Sequence, residues 1–204
     1  MSSTPIDEPD LYDIVKASYK GEDEQKNSLG KYGYVRDKDL SNENQQAYYN
    51  ADKKKLIYSV TGTHNAKDWG TDAYLALGKL KDTNRYKDAD NGLKKAKAKY
   101  GVTEASIFGH SLGGSIAGYI GGKGDKVSTL DKGATIGQKV RNNEKAYRTA
   151  FDPVSILNAN SKNMTTLPNT NKKLQTGFLP LDAIVNGFNA HNVDSVKGQK
   201  TRFV

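Results

Sequence analysis

A serine flanked by glycines lies near the middle of the chain, in residues 109–114, whose sequence is GHSLGG. A serine hydroxyl attacks an ester carbonyl only when it projects clear of the backbone, and a tight strand-to-helix turn projects it by holding the residue in a sparsely allowed conformation. Glycines two residues before and after Ser111 remove the Cβ atoms that would collide in such a turn. The run therefore predicts a nucleophile elbow, in which the backbone N–H of Leu112 also faces developing negative charge.

The residues on either side of this run matter, because a G-x-S-x-G pattern alone arises by chance in roughly one chain in fifteen of this length. Residues 104–108 are typical of a short buried strand. From Ser111 onward, apolar side chains recur at helical spacing, and Gly114 and Gly118 permit close packing of that helix on a sheet. This context favours a nucleophile elbow over an incidental serine in a glycine-rich turn.

A serine nucleophile needs a base, and the chain has only three histidines from which to choose one. His110 adjoins the nucleophile, so its side chain should point away from Ser111. His64 precedes the elbow, where the α/β-hydrolase chain order of Ser, Asp, His would not place the base. His191 follows the elbow and satisfies that order. We therefore predict His191 as the base, against the alternative of an ordinary histidine in a surface loop.

The same chain order requires a carboxylate between Ser111 and His191 to orient the base. Asp152 precedes Pro153 and an apolar run, so it falls where a strand meets a loop, and the proline biases it toward an extended backbone. We predict Asp152 as the orienting residue, with Asp131 as the second choice. The candidates that the order allows are Asp125, Asp131, Glu144, Asp152 and Asp182.

The second donor to an oxyanion should follow a strand that precedes the elbow strand. Residues 58–61 are apolar enough for such a strand, and they run into Gly62 and Thr63. The N–H and hydroxyl of Thr63 could both reach a developing oxyanion. Trp69, the only tryptophan, follows shortly after and could equally be a core anchor.

Together these pieces resemble the class 3 lipase family, α/β-hydrolases that act on lipid esters. The resemblance implies Ser111, Asp152 and His191 as the catalytic residues. It also implies Thr63 with Leu112 as the oxyanion hole. The likeness spans about residues 45–195, and the matched pieces are residues 62–63, 68–69, Asp72, 109–114, Gly133, Gly137, 152–154 and His191.

Substrate contacts are expected from residues near these groups, namely His64, Trp69 and His110. Only residues 64–67 separate Thr63 from Asp68, which is too short for an amphipathic helical lid. We therefore expect an open, minimal site.

Helices and strands alternate along most of the sequence. We predict one α/β domain over 1–204, with a mostly parallel sheet and helices on both faces, in the manner of a minimal α/β-hydrolase. Residues 1–44 would form an N-terminal helix and an irregular segment, and 45–195 the catalytic core. The predicted helices cover 7–19, 72–79, 86–100, the stretch after Ser111 and 142–149, and the predicted strands cover 45–49, 55–61, 104–108, 126–130 and 153–157.

Composition limits the function classes without choosing one. The 204 residues are 35% apolar, with no cysteine and a net charge of +8. We expect an intracellular or particle-associated protein, since the chain shows no signal peptide and no apolar run as long as a membrane span. The scattered lysines permit a weak attraction to anionic lipid surfaces, whereas nucleic-acid binding is not expected because no phosphate-binding loop occurs.

The sequence thus favours hydrolysis of carboxylic esters of lipids through an acyl-enzyme, with no cofactor and no metal. The regular spacing of His64, Asp68 and Asp72 is taken as coincidence, because Gly70 interrupts the segment. The alternative is a catalytically weak or inactive lipase-like fold that serves as a structural or lipid-binding component of a particle.

Overall fold

A seven-stranded sheet forms the centre of the computed structural model, which describes residues 8–20, 24, 28–63, 78–133, 138, 140–155, 162–171, 186–187, 189–199 and 201. Neighbouring strands in the sheet follow one another along the chain. The first three strands pair antiparallel, and the third to the seventh pair parallel. The strands are β1 (Val35–Arg36), β2 (Gln45–Asn50), β3 (Lys55–Val60), β4 (Ser106–His110), β5 (Lys126–Leu130), β6 (Glu144–Thr149) and β7 (Met164–Leu167).

Three α-helices that lie wholly within the described residues connect or cover these strands, and residues 24, 78–79, 186–187 and 189–191 are helical as well. Each of the first two begins at a residue whose side chain accepts a backbone N–H: Asp10 accepts from Asp13 and Thr83 accepts from Tyr86. The helices are α1 (Leu11–Ser18), α2 (Asn84–Tyr100) and α3 (Leu112–Ile120), and 3₁₀ turns cover Gly30–Tyr32, Leu80–Asp82 and Val193–Val196. Among the described residues, no helix combines the length and apolar content that crossing a bilayer requires.

Two apolar clusters lie on opposite faces of the sheet, because successive strand residues point to opposite sides. On one face α2 and α3 pack against a cluster that includes Tyr58 and Ile107. On the other face α1 packs against Ile57 and Phe108, the sequence neighbours of those two residues. The predicted α/β architecture, a mostly parallel sheet with helices on both faces, is confirmed.

Two predicted elements after the elbow are wrong. Residues 142–149 were expected to be helical, but Glu144–Thr149 forms β6. The charged residues of this strand obscure its apolar pattern in the sequence. One of them, Glu144, is nevertheless fully buried, because it forms an ion pair with Lys132 (Oε1 to Nζ 2.7 Å). The strand expected at 153–157 does not form at 153–155, where the Asp152 side chain instead accepts backbone N–H groups of a turn, and residues 156–157 lie outside the described part. The last strand, β7, had not been predicted.

The remaining helices agree in place but differ at their ends. The N-terminal helix begins at Leu11 and not at residue 7, because Asp10 caps it. The long helix begins at Asn84, two residues earlier than expected. Most of the helix expected at 72–79 lies outside the described residues, which resume at Gly78.

The start of α3 lies very close to the end of β3. A methyl group placed on Gly113 would lie 2.6 Å from the carbonyl oxygen of Thr61, a distance that real Cβ atoms do not adopt. It would also collide with the carbonyl oxygen of Val60. Both carbonyl groups belong to the backbone, so the collision could be relieved only by moving the helix or the strand end. Glycine at position 113 is therefore required for the approach of α3 to β3.

We predict that Gly113→Ala lowers the free energy of unfolding by about 1–3 kcal/mol or more, because it overpacks a backbone contact. Urea denaturation with a far-UV circular dichroism signal measures the change. Gly30→Ala is the matched control, since a methyl group there meets nothing within 4 Å. Equal stability of the two variants would contradict the close approach.

Candidate active site

Ser111 occupies the turn between β4 and α3 in an unusual backbone conformation. Its φ is 55° and its ψ is −125°, a combination that costs a non-glycine residue about 1–3 kcal/mol. The turn is held from both sides, because the N–H of Ser111 donates to Leu130 (3.0 Å) and its carbonyl oxygen accepts from Gly133 (3.3 Å). The surrounding strands thus impose the conformation on Ser111.

The loop that follows β3 lies against Ser111. A methyl group placed on Gly62 would lie 3.0 Å from Cβ of Ser111 and 2.9 Å from the carbonyl oxygen of His110. Because β3 and β4 are parallel, their carboxyl ends meet at the same edge of the sheet. Thr63 follows Gly62 directly, so the structure brings this predicted residue to the same edge as Ser111.

Several hydrogen bonds fix the Gly62 loop, which we define as residues 61–63. The Arg85 guanidinium donates to the carbonyl oxygen of Thr61 (2.6 Å), and the Thr61 N–H donates to Asn44 (2.9 Å). The Gly62 N–H donates to the hydroxyl oxygen of Tyr19 (2.8 Å). The loop is therefore rigidly placed beside the turn.

His191 and Asp152 form a buried hydrogen-bonded pair. Nδ1 of His191 lies 2.7 Å from Oδ1 of Asp152. The other oxygen of Asp152 accepts the backbone N–H of Ser155 (2.7 Å) and the Ser155 hydroxyl. Burial alone would raise the pKa of Asp152, but the hydrogen bonds from His191 and Ser155 outweigh burial and hold the pKa below its usual value. Asp152 is thus an ionised partner for the imidazole.

The imidazole of His191 stays neutral at neutral pH. Burial lowers its pKa from the usual 6.5, and the hydrogen bond to Asp152 only partly opposes this effect. Neutral imidazole bonded to a carboxylate through Nδ1 carries its proton there, which leaves Nε2 as the basic nitrogen. The arrangement is chemically suited to accept a proton.

Protein groups hold both ring nitrogens of His110. It is buried, with Nδ1 lying 2.7 Å from the Tyr19 hydroxyl and Nε2 lying 2.9 Å from the carbonyl oxygen of His191. Burial and the neighbouring His191 lower its pKa to about 3. Because protein groups take up both nitrogens, the geometry gives His110 a supporting position, and its contact with substrate stays a prediction.

Asp131, the second choice for the orienting carboxylate, is also fully buried at this edge. Its oxygens accept the backbone N–H of Thr149 (2.5 Å) and the Thr149 hydroxyl (2.9 Å), which in turn lies 2.8 Å from the Ser195 hydroxyl. Its carboxyl lies within 4.8 Å of a ring nitrogen of His110 and of His191. Burial, followed by the charge of Asp152, raises the pKa of Asp131 well above its ordinary value. The pKa values of the two aspartates are therefore shifted in opposite directions.

One potential ligand atom from each of His110, Asp131 and His191 lies within 4.8 Å of the other two, which is close enough for a shared metal ion. Nδ1 of His110 faces the Tyr19 hydroxyl and Nε2 faces a carbonyl oxygen, so a metal would have to displace one of these bonds. The geometry therefore fits a hydrogen-bonded cluster.

The structure brings four of the predicted site residues to one edge of the sheet, namely Ser111, Leu112, Asp152 and His191, and Thr63 ends the loop beside them. His64 and Trp69 lie outside the described residues. Ser111 and His191 are each only 3% exposed. The segment after Thr63, on which the expectation of an open site rests, lies outside the described residues. Sequence reasoning missed Tyr19 and Ser155, which carry no motif; Tyr19 looked like one more apolar residue of an amphipathic helix.

Comparisons with known proteins give weak likenesses. No family model matches the chain, and neither does any curated protein. Among solved structures, a mutant form of MDLA from Penicillium cyclopium is 14% identical with a TM-score of 0.48, and the alignment covers 81% of this chain and 79% of that one. Lip2 lipase from Yarrowia lipolytica is 18% identical with a TM-score of 0.32, over 57% and 59% of the two chains. With both TM-scores below 0.5, neither likeness determines what this chain does.

We predict that Asp131→Asn becomes more stable relative to wild type as pH rises from 4 to 7. The folded state keeps a proton on Asp131 that the unfolded chain has lost above its pKa near 3.8, so the wild-type free energy of unfolding falls by up to about 1.4 kcal/mol per pH unit until the folded pKa is passed. Asparagine does not titrate. Urea unfolding at several pH values measures the difference, with Asp52→Asn, at an exposed carboxylate, as the control for net charge. A difference independent of pH would contradict a raised pKa of Asp131.

Proposed function

We propose that the chain is a serine hydrolase that cleaves carboxylic esters through an acyl-enzyme. The observation that carries this proposal is the buried pair of His191 and Asp152 (2.7 Å) at the sheet edge that also holds Ser111 at a positive φ. The strand–turn–helix geometry at Ser111 is that expected of a nucleophile elbow. It supports the resemblance to class 3 lipases that the sequence motifs suggest.

The first half of the reaction forms the acyl-enzyme. Oγ of Ser111 attacks the ester carbonyl carbon as Nε2 of His191 takes the hydroxyl proton, giving a tetrahedral intermediate. Asp152 holds the imidazole in the required tautomer and stabilises the imidazolium that forms. The carbon–oxygen bond to the leaving alcohol then breaks, and His191 delivers its proton to that oxygen.

The second half releases the acid. His191 takes a proton from water, whose oxygen attacks the acyl carbon, and then returns the proton to Oγ of Ser111 as the carboxylic acid leaves. Negative charge develops twice on the carbonyl oxygen. The N–H groups of Leu112 and Thr63 stabilise that charge, aided by the positive end of α3, which begins at Leu112.

The substrate class proposed is an ester of a lipid, such as an acylglycerol or a phospholipid. Its support is the motif resemblance to class 3 lipases described above. A net charge of +8 would favour approach to an anionic lipid surface.

Ser111→Ala should abolish ester turnover, leaving at most the slow residual rate that binding and oxyanion stabilisation provide. Hydrolysis of p-nitrophenyl esters with acyl chains of two to twelve carbons measures this and ranks chain length. Ser106→Ala, at the opposite end of β4, is the matched control and should keep wild-type activity. A wild type with no turnover above that of Ser111→Ala would support an inactive lipase-like fold instead.

The pH dependence of kcat/KM should follow His191. Activity requires the neutral imidazole, so kcat/KM should rise with pH around a midpoint below 6.5, because burial lowers the pKa of this histidine.

Asp152→Asn should lower kcat by about 10⁴-fold, since the tautomer of His191 is no longer fixed. Stopped-flow or plate assays between pH 4.5 and 8.5 measure both effects. A midpoint well above 6.5 would contradict the buried, neutral base.

A further inference from the structure

A continuous series of hydrogen bonds joins the Gly62 loop to the backbone of His191 through two side chains that the reaction does not use. The Gly62 N–H donates to the Tyr19 hydroxyl (2.8 Å), and that hydroxyl lies 2.7 Å from Nδ1 of His110. Nε2 of His110 lies 2.9 Å from the carbonyl oxygen of His191. The series therefore connects the loop proposed to bind the oxyanion with the residue proposed as the base.

Chemistry fixes the direction of each bond in the series. The carbonyl oxygen of His191 can only accept, so Nε2 of His110 must carry a proton. The pKa of His110 is lowered to about 3, so the ring is neutral near pH 7 and Nδ1 carries no proton. The Tyr19 hydroxyl must then donate to Nδ1 while it accepts from Gly62. Reversing any one bond would leave two acceptors or two donors facing each other.

The geometry points to Tyr19 and His110 as positioning residues that hold the Gly62 loop and the His191 backbone at a fixed separation on either side of Ser111; this inference rests on the proposed function. The rings of His110 and His191 pack with centroids 4.7 Å apart, and Tyr19 meets His110 edge-on at 5.6 Å. Both His110 and Tyr19 are thus confined by packing as well as by hydrogen bonds. Neither residue gives or takes a proton in the proposed reaction.

Tyr19 directly follows helix α1. This helix also contacts residues that follow His191 in the chain. Lys16 pairs with Asp194 (2.8 Å), and the Tyr12 hydroxyl donates to the same carboxylate (2.9 Å). The N–H of Leu11 donates to the Thr201 hydroxyl (3.1 Å). Helix α1 therefore contacts the segment that follows the base while the residue after the helix, Tyr19, reaches the Gly62 loop.

Tyr19→Phe removes the middle group and leaves the Gly62 N–H and Nδ1 of His110 without this partner. Small displacements of reacting groups slow chemistry strongly, so we expect kcat per active site to fall ~10- to 100-fold, with KM changed less than about twofold. The matched control is Tyr34→Phe, which removes a buried tyrosine hydroxyl from the same apolar cluster; that hydroxyl donates to Glu8 (2.8 Å), which also pairs with Lys55 at the other end of β3.

Both variants should lose stability, but only Tyr19→Phe should lose kcat. Sites are counted by titration with a fluorophosphonate, so that unfolded protein does not enter the rate. A kcat for Tyr19→Phe equal to that of Tyr34→Phe overturns the proposal, because a purely structural hydroxyl would lower stability alone.

Nuclear magnetic resonance tests the series independently of activity. In wild type, ¹⁵N shifts of His110 should report protonated Nε2 and unprotonated Nδ1, and the opposite tautomer overturns the proposal even if Tyr19→Phe fails to fold. In Tyr19→Phe, both the Gly62 amide and the His191 ring resonances should shift, whereas a shift confined to Gly62 overturns the coupling. If wild type hydrolyses no ester, the proposed function fails, and these resonances still decide whether Tyr19 couples the two loops.

Discussion

The sharp turn at Ser111 is the constraint on which the rest of the site depends. A serine at φ 55° is strained, and only the fixed positions of the neighbouring strands keep it there. The same turn starts α3 so near β3 that Gly113 can carry no side chain. The strained turn thus persists only while the Gly62 loop, the start of α3 and the end of β5 keep these positions.

Burial and hydrogen bonding shift the pKa values of the ionisable groups around this turn in different directions. Asp152 remains ionised because His191 and Ser155 donate to it, whereas Asp131 is driven toward its neutral form by burial and by the charge of Asp152. His110 is neutral near pH 7 because burial and the neighbouring His191 lower its pKa to about 3. The pKa values of the two aspartates in this buried cluster thus move apart, and the one whose pKa is lowered, Asp152, is the one that contacts His191.

Sequence patterns predicted those parts of the fold that depend on residues close to one another in the chain. The elbow strand, the glycine spacing and the alternation of strands with helices were visible because each depends on residues close in sequence. Strand β6 was mistaken for a helix because its buried Glu144 finds its partner Lys132 twelve residues earlier, a pairing that no local pattern shows. Asp152 and His191 could be proposed from chain order, but their contact, and the role of Tyr19, arise only when distant segments meet in the folded chain.

The most direct test of the account is covalent labelling of the folded protein with a fluorophosphonate, followed by peptide mass spectrometry. The test is stringent because Ser111 is only 3% exposed, so labelling requires both an activated hydroxyl and access to it. The account predicts one phosphonyl group per chain, attached to Ser111, with labelling lost when the protein is unfolded by urea. No adduct on folded protein, or an adduct on another serine, would contradict it.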